Sequence, residues 1–224
     1  MLTGEQAADV FAKLKKHSSA DELEVLFFAT GNALTRFANN TIHQNVAEEN
    51  VNVSVRTAFG QQTARATTNK LDEESLRRVV QASENLAKVQ HPDPDLLPMP
   101  AGGPSTGGTP APTRHFVQTA SITPEQRAET VKKMVAVAQK HKLTTAGIFS
   151  NSEWAEGIFN SRGLADWHAQ TSSEISITML AADSSGWQKA NSPNIANLDA
   201  AALAETAARK ALDSAKPREI PAGK

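Results

Sequence analysis

Residues 34–66 read LTRFANNTIHQNVAEENVNVSVRTAFGQQTARA, and this segment carries the clearest secondary-structure pattern of the chain. From Val51 to Phe59, apolar residues or threonine alternate with asparagine, serine, arginine and alanine. Side chains of a strand point alternately to its two faces, so this pattern predicts a β-strand with one face toward water. Asn39 and Asn40 predict a turn before it, because asparagine tolerates left-handed backbone. Gly60 predicts a turn after it. The stretch is therefore predicted to be an antiparallel meander, and it carries no catalytic motif.

Length, charge and composition narrow the class of protein. The chain has 224 residues, a formal net charge of -1 and no cysteine. This length predicts one or two domains of about 100 to 150 residues, each able to bury a core. A charge near zero disfavours direct nucleic acid binding, and the lack of cysteine excludes disulfides, thiolate metal sites and cysteine nucleophiles. Since no signal peptide or membrane span is apparent, a cytoplasmic protein without membrane contact is expected.

Predicted helices lie on both sides of the meander. Thr3-Gly4-Glu5-Gln6 is a capping box, so a helix is predicted to begin at Gly4. Glu22 to Ala29 predicts a strand. Asp72 caps a second helix, with Leu71 packing on Leu76 as a hydrophobic staple. The predicted buried stripes are Ala7, Val10, Phe11 and Leu14 on the first helix, and Leu76, Val79, Val80, Ser83, Leu86 and Ala87 on the second.

The composition changes between His91 and Ser121, where seven prolines are mixed with glycines. Proline lacks the N–H that strands and helices need, so neither is predicted here. The segment is interpreted as a linker or a long surface excursion, with the poorest order from Gly102 to Thr109. Proteases are expected to cut first between Pro98 and Pro112.

The second half of the chain repeats the first. Ile122-Thr123-Pro124-Glu125-Gln126 restates the capping box at Thr3, and Leu198 to Leu203 restates Leu71 to Leu76. The offset is 120 residues at the first helix (123 minus 3) and 127 at the last helix (198 minus 71), as loop insertions would produce. The predicted buried residues of the second half are Ala128, Val131, Met134, Val135, Ala138, Ile175, Ile177, Met179, Ala204, Ala207, Ala208 and Leu212.

This order predicts an α+β fold with two pseudo-repeated units, each a helix, an antiparallel meander and a helix, and with helices covering the sheets. The first repeat unit is predicted at residues 1–90 and the second at 122–216. Residues 91–121 would be the linker or surface excursion, and 217–224 a tail. Periodicity leaves open whether the two units have separate sheets or share one.

Four separated strings also carry a family resemblance. They are RFANNTIHQNVAEENVNVSVR (36–56), TTNKLDEESLRRVV (67–80), PDPDLLPMP (92–100) and ANSPNIANLDAAALAETAARKAL (190–212). In this order they resemble the N-terminal region of the TldD/PmbA family, whose members have been called modulators of DNA gyrase and metallopeptidase-related proteins. The resemblance covers the chain from about Leu23 to its end. In that family a C-terminal domain follows, and in the TldD branch it carries a His-Glu-x-x-x-His motif. The tail 217–224 resembles the connection into that domain, so the resemblance implies zinc there and no cofactor in this chain.

The residues of this chain do not suggest a site for chemistry. None of its six histidines is followed by glutamate or lies three or four residues from another histidine, as a helical zinc site requires. His43 and His168 lie on the two meanders and could meet, but single strand histidines are usually structural. Glu48 and Glu49 are interpreted as a solvated hairpin end. No catalytic, cofactor-binding or metal residue is predicted.

The three tryptophans, Trp154, Trp167 and Trp187, all fall in the second repeat. Tryptophan is enriched both in cores and at interfaces, so core packing is weighed against a partner or peptide surface. Core packing is the favoured interpretation.

Two functions remain open at this point. The resemblance implies a non-catalytic N-terminal module of a TldD/PmbA-like metallopeptidase, inactive alone, which forms a homo-oligomer or a TldD/TldE-type heterodimer and helps peptides reach a metal site outside this chain. The alternative is a free-standing protein-interaction module of the gyrase-modulator type. A self-sufficient hydrolase lacks every residue constellation that it would need. The sequence distinguishes neither the TldD from the TldE branch nor a fragment from a natural short protein.

Overall fold

The computed structural model describes residues 1–103 and 113–223. Each half of the chain contains a long helix, three strands and another long helix in that order. The helices are α1 (Gly4–His17), α2 (Glu73–Lys88), α3 (Val117–Ala120), α4 (Pro124–Lys140) and α5 (Ala200–Asp213), with a short 3-10 turn at Ile195–Asn197. The strands are β1 (Glu22–Ala38), β2 (Thr41–Phe59), β3 (Gln62–Thr68), β4 (Thr144–Asn160), β5 (Ala165–Leu180) and β6 (Ser185–Ser192). Within this part of the chain, no helix is long and apolar enough to cross a membrane.

The six strands form one antiparallel sheet in the order β3-β2-β1-β4-β5-β6. Strand β3 pairs with β2 from Val53↔Thr68 to Phe59↔Gln62. Strand β6 pairs with β5 from Ser173↔Ser192 to Leu180↔Ser185. The predicted α+β class and the antiparallel meanders are therefore confirmed, and the two repeats share one sheet.

The chain divides into two compact units, and each of them takes segments from both repeats. The first compact unit contains residues 1–31, 49–103 and 154–169. The second compact unit contains residues 32–48, 113–153 and 170–223. Strands β1, β2, β4 and β5 each contribute residues to both units. Whether residues 1–90 and 122–216 fold independently stays a prediction.

The long helices begin where the sequence predicts. In α1, the Thr3 hydroxyl accepts the Gln6 backbone N–H and the Gln6 side chain accepts the Thr3 N–H. The same capping box forms at the start of α4, with Pro124 in the first turn. Asp72 and Asp199 cap α2 and α5. These local signals suffice because a capping side chain needs only N–H groups two or three residues away.

Two residues of the predicted helix stripes are exposed. Leu86 of α2 is 46% exposed and Leu212 of α5 is 44% exposed, so both predictions were wrong. The buried row on α2 ends with Ser83 and Ala87, and the row on α5 ends with Ala211. Leu86 and Leu212 each lie one residue, or about 100°, away from these rows. The side chains of Leu86 and Leu212 therefore lie beside the core, on the solvent side of their helices.

The predicted wet face of β2 is covered near the end of that strand. Ser54 is 6% exposed and Ala58 is 4% exposed, so this part of the prediction was wrong. The Arg65 guanidinium lies over Ser54, donating to its hydroxyl at 3.1 Å, and pairs with Glu24 at 2.6 Å. A long side chain that buries its stem can close a sheet face that would otherwise meet water.

Part of the proline-rich segment is anchored to the first compact unit. Met99 is 2% exposed, and its carbonyl accepts a hydrogen bond of 2.7 Å from Arg162. The Asn160 side chain donates to the Pro100 carbonyl at 2.8 Å. Most of the stretch predicted to be poorly ordered, residues 104–109, lies outside the described residues, together with 110–112.

A buried carboxylate in the first compact unit makes a pH-dependent contribution to stability. Glu84 of α2 accepts the Ser19 N–H at 2.6 Å and the hydroxyls of Ser18 and Ser19 at 2.9 Å each. Burial opposes the charged form, but these donors outweigh burial and hold the pKa of Glu84 below its usual value of 4.5. The carboxylate therefore stabilises the fold above its usual pKa, and this contribution is lost as the pH falls through the lower folded-state pKa.

We expect Glu84→Gln to lower the free energy of unfolding by about 1 to 2 kcal/mol at pH 7, because the neutral amide is a weaker acceptor. The difference from wild type should shrink between about pH 5 and pH 3, as the wild-type carboxylate becomes protonated. Urea unfolding at pH 7 and pH 3 measures both values, with the exposed Glu129→Gln as control. A difference that is the same at both pH values would contradict this assignment.

Candidate functional site

The histidines of the described chain lie in separate surroundings. Three of them pair with one glutamate each: His17 with Glu73 at 2.6 Å, His115 with Glu153 at 2.7 Å, and His141 with Glu205 at 2.7 Å. His43 lies on β2 in the second compact unit, and His168 lies on β5 in the first. Across residues 1–103 and 113–223, no three His, Asp or Glu side chains gather closely enough to hold a metal ion. The described residues thus do not fit a zinc site.

Glu48 and Glu49 do not lie at a hairpin end, so that interpretation was wrong. Both are exposed residues inside the 19-residue strand β2. The hairpin turns earlier, at Asn39 and Asn40, which have φ values of 51° and 59°. The prediction of the asparagine turn is confirmed. The polar sequence AEEN suggests a break in the strand, but residues 41–50 of β2 are exposed, and an exposed part of a strand can keep polar side chains.

Two of the three tryptophans have clearly different surroundings. Trp167 packs against the core of the first compact unit, with its ring 6.4 Å from that of Phe27. Trp187 of β6 is 55% exposed, so the core interpretation was wrong for this residue. Its indole N–H donates to the Ser176 hydroxyl. Trp187 is thus held on the surface by a cross-strand contact.

Strand β2 has a long open edge. Its pairing with β3 begins only at Val53, and residues 41–50 are all exposed. Thr57 directs its N–H toward the β3 side, where the Ser83 hydroxyl accepts it at 3.1 Å. Because backbone groups along a strand alternate in direction, Val51 and Glu49 direct their N–H and C=O groups to the same side. We define residues 41–52 as the open edge of β2.

The part of the open edge in the second compact unit is held by a buried arginine. Arg127 of α4 is 1% exposed and is the largest fully buried side chain. Its guanidinium donates to the side-chain oxygens of Thr35 at 3.2 Å and Asn45 at 3.0 Å. It also donates to the Asn151 side chain and the Ile122 carbonyl, both at 3.1 Å. Asn45 is an open-edge residue, so Arg127 fixes the edge to helix α4.

The spacing of residues along α4 indicates that Arg127 lies on the buried face, but the predicted stripe included only apolar residues. Buried Arg127, Val131, Met134 and Ala138 recur at spacings of four, three and four residues, which is one helical face. The predicted stripe began with Ala128 instead, because arginine is rarely buried without an acidic partner. Here carbonyl and hydroxyl oxygens, which carry no charge, accept the hydrogen bonds of the guanidinium in place of a carboxylate.

The turn before the open edge is fixed as well. The Asn40 side-chain oxygen accepts the Thr145 N–H at 2.7 Å, and the Asn40 backbone N–H donates to the Thr145 carbonyl at 3.3 Å. The Asn40 amide group also donates to the Leu143 carbonyl. Both the start and the middle of residues 41–48 are therefore held in place, and an edge ordered in advance costs less entropy when a partner pairs with it.

In the first compact unit, the open edge borders a groove of about 540 Å³. Helix α1 forms the opposite wall, and Glu49, Asn50 and Val51 form the strand side. The apolar lining includes Leu2, Val10, Val51 and Leu71, and the charged lining includes Asp9, Lys13 and Glu49. An edge strand facing a helix across an apolar groove is a geometry that can take an extended peptide.

Sequence profiles of two domains from one family match this chain. The PmbA/TldA metallopeptidase domain 1 matches residues 24–87. The PmbA/TldA metallopeptidase central domain matches residues 118–215. Together the two matches take in well over half of the chain. No curated protein matches it.

Three solved structures share the fold. TldE from Thermococcus kodakarensis has a TM-score of 0.72 at 16% identity, over 92% of this chain and 47% of that chain. A candidate modulator of a DNA gyrase from Thermotoga maritima MSB8 has a TM-score of 0.78 at 18% identity, over 99% and 50%. A candidate modulator of DNA gyrase from Bacteroides thetaiotaomicron VPI-5482 has a TM-score of 0.70 at 16% identity, over 100% and 53%.

The chain spans about half the length of each of these three proteins. At identities below 20%, the likeness to them shows the fold alone. The domain matches carry the assignment further, because domain 1 and the central domain follow each other along the chain. By these two domains, the chain belongs to the PmbA/TldD family.

Proposed function

We propose that this chain is a non-catalytic N-terminal module of a PmbA/TldD-type metallopeptidase assembly in the cytoplasm. It joins subunits, either two copies of itself or a TldD/TldE-type pair, and helps peptides reach a metal site in polypeptide outside this sequence. Family membership supports the proposal, since both matching domains are described as parts of a metallopeptidase. On this proposal the chain alone has no peptidase activity.

The open edge of β2 is the observation that carries the subunit-joining role. Residues 41–48 in the second compact unit lie beyond the last β2 residue that pairs with β3 in the part of the chain that the structure describes, and Arg127 and Asn40 hold them in place. Isolated edges of this length invite pairing with another strand, which native proteins otherwise prevent with charges, prolines or bulges. Ile42 and Val46 on this edge are 38% and 37% exposed. Pairing with a second subunit would cover these apolar side chains.

Ala47→Pro tests this role of the edge. Ala47 is ten residues before Thr57, whose N–H points to the β3 side, and N–H directions repeat every second residue of a strand, so the Ala47 N–H points to the open edge. Proline there removes one pairing group but fits an edge strand. We expect the wild-type chain to form a two-subunit particle, alone or with a full-length family relative from the same organism, and Ala47→Pro to weaken this association at least ten-fold. Size-exclusion chromatography with light scattering measures the assembly.

Ala47→Ser is the matched control, because it keeps the N–H and should assemble as wild type does. Thermal unfolding of both variants shows whether the fold is kept. If Ala47→Pro folds and assembles like wild type, residues 41–48 do not join subunits.

Peptidase activity gives a separate test. We expect the purified chain to leave an unstructured peptide intact in the presence of Zn²⁺, as seen by mass spectrometry over several hours. Cleavage that a chelator abolishes would overturn the proposal of a non-catalytic module. A family relative known to be full length serves as the positive control.

The second candidate is a free-standing protein-interaction module. Two of the solved structures with this fold are named as candidate modulators of DNA gyrase, and the exposed Trp187 offers an aromatic contact for another protein. Binding to gyrase with no assembly with a family relative would favour this candidate.

A further inference from the structure

In the second compact unit, the chain adds a segment of its own to the edge of strand β5. The Thr171 N–H donates to the Arg114 carbonyl at 3.0 Å, and the Phe116 N–H donates to the Thr171 hydroxyl at 3.1 Å. Thr171 lies before Ser173, where pairing with β6 begins. Residues 114–116 thus occupy part of an edge that β6 leaves free.

Matching hydrogen bonds show which residue of β2 corresponds to Thr171. In the first compact unit, Leu23 exchanges hydrogen bonds with Ser161: its carbonyl accepts the Ser161 N–H, and its N–H donates to the Ser161 hydroxyl. In the second, Thr145 does the same with the backbone and side chain of Asn40. These contacts offset the turn before β5 from the turn before β2 by 121 residues (161 minus 40), and strand β4 from strand β1 by 122 residues (145 minus 23).

The buried faces of strands β2 and β5 agree with an offset of 122 residues. Val53, Val55 and Thr57 of β2 are 0% exposed, as are Ile175, Ile177 and Met179 of β5. An offset of 122 places Glu49 of β2 at the position of Thr171 (171 minus 49). Glu49 lies on the open edge and lines the groove of the first compact unit.

The helix walls of the two units also correspond. Gln6, Asp9 and Lys13 of α1 line the groove of the first unit, and Gln126, Glu129 and Lys133 of α4 line a groove of about 500 Å³ in the second. These residues are offset by 120. In the second unit the chain's own residues 114–116 lie at the edge of β5, and in the first unit the Met1 amine lies 3.7 Å from a carboxylate oxygen of Glu49.

We propose that the groove of the first compact unit binds an extended peptide that adds as a strand to Glu49 and Val51. The peptide would take the place that residues 114–116 take in the second unit. Its apolar side chain would lie on Val10, Val51 and Leu71, and an adjacent basic residue would face Asp9 and Glu49, the acidic residues that line this groove. This inference rests on the proposed function, whose substrates are peptides, and names where they first dock.

A peptide copied from residues 113–118, Thr-Arg-His-Phe-Val-Gln, is the probe. Labelled with fluorescein, it should bind the full chain saturably, as measured by fluorescence anisotropy. Val51→Pro removes an N–H of the open edge and should weaken binding at least ten-fold. Asp9→Lys reverses a charge beside the basic residue and should weaken it about three- to ten-fold. Glu129→Lys, the matched change in the second unit, should leave binding unchanged.

Changes in the peptide make the test independent of protein folding. In the internal segment, the Arg114 carbonyl and the Phe116 N–H face the edge. The N–H of the residue between them points away, because backbone directions alternate. N-methylation of the phenylalanine should therefore abolish binding, and N-methylation of the histidine should be tolerated.

Three results would overturn the inference: no saturable binding, equal binding of the two methylated peptides, or equal weakening by Asp9→Lys and Glu129→Lys. The last result would show that the charge of the whole chain, not the groove of the first unit, determines the affinity. If the wild-type chain and its control Ala47→Ser form the two-subunit particle but do not bind the peptide, this inference is wrong and the proposed function stands. If the peptide binds but the chain forms no two-subunit particle, the proposed subunit-joining role is wrong and the peptide site stands.

Discussion

Arg127→Met is expected to lower the free energy of unfolding by about 3 kcal/mol, because it leaves buried oxygens without donors. The guanidinium donates to Thr35, Asn45, Asn151 and the Ile122 carbonyl, and among the described residues no carboxylate contacts it. Burial lowers the pKa of Arg127, and the charge of Glu125 partly offsets this. Arginine still stays protonated at neutral pH, so four neutral acceptors stabilise a buried cation.

Urea unfolding followed by circular dichroism measures this loss. Arg127→Lys should lose about 2 kcal/mol, because an ammonium group has three donors and cannot span the four acceptors. Lys132→Met on the same helix is the matched control, since the Lys132 side chain is 76% exposed, and it should change stability by less than about 0.5 kcal/mol. Equal stability of Arg127→Met and Lys132→Met would show that the Arg127 network adds nothing to the fold.

The sequence predicted the features of the fold that depend on neighbouring residues. Thr3 and Thr123 cap their helices through contacts three residues away, and the Asn39-Asn40 turn needs only a residue type that accepts positive φ. The repeat then indicated the order of helices and strands, because the same local signals recur in the same order in both halves of the chain. None of these predictions requires knowing which strands meet.

What the sequence could not predict depends on contacts between distant residues. Arg127 is buried because Thr35, Asn45 and Asn151 come from three different strands to accept its hydrogen bonds. Thr171 corresponds to Glu49 in the folded chain, although a threonine and a glutamate share no sequence signal. The open edge of β2 likewise follows from where β3 ends, which periodicity does not determine. The candidate site is therefore a product of strand pairing.

The division into compact units shows the same limit. The repeats suggested a boundary in the proline-rich segment, whereas the contacts assign residues 154–169 to the unit that contains α1. Phe159 shows why: its ring stacks on Phe11 at 5.7 Å and meets Phe27 edge-on at 5.5 Å. A core residue from the second repeat thus completes the core beside the first helix. A duplicated sequence does not by itself mean that each core is built from one repeat alone.

Gly186→Ala is expected to lower the free energy of unfolding by about 3 kcal/mol, because helix α5 lies directly on this residue of β6. A Cβ atom at Gly186 would overlap the Ala207 carbonyl oxygen and lie 2.5 Å from the Ala211 nitrogen. Both are backbone atoms of α5, so no side-chain rotation relieves the overlap. The facing helix surface is already built of alanines, with Ala204, Ala207, Ala208 and Ala211 all 0% exposed. The helix itself would have to move away from the sheet.

Thermal and urea unfolding measure the effect, and Gly103→Ala provides the matched glycine control. A Cβ atom at Gly103 meets nothing within 4 Å. Gly103→Ala should therefore change stability by less than about 0.5 kcal/mol, or raise it slightly by restricting the unfolded chain. If Gly186→Ala unfolds at the same urea concentration as Gly103→Ala, α5 does not pack as closely on β6 as these distances require. A strong loss would show that small residues on both surfaces set the separation of helix and strand, which is why a glycine stands at position 186.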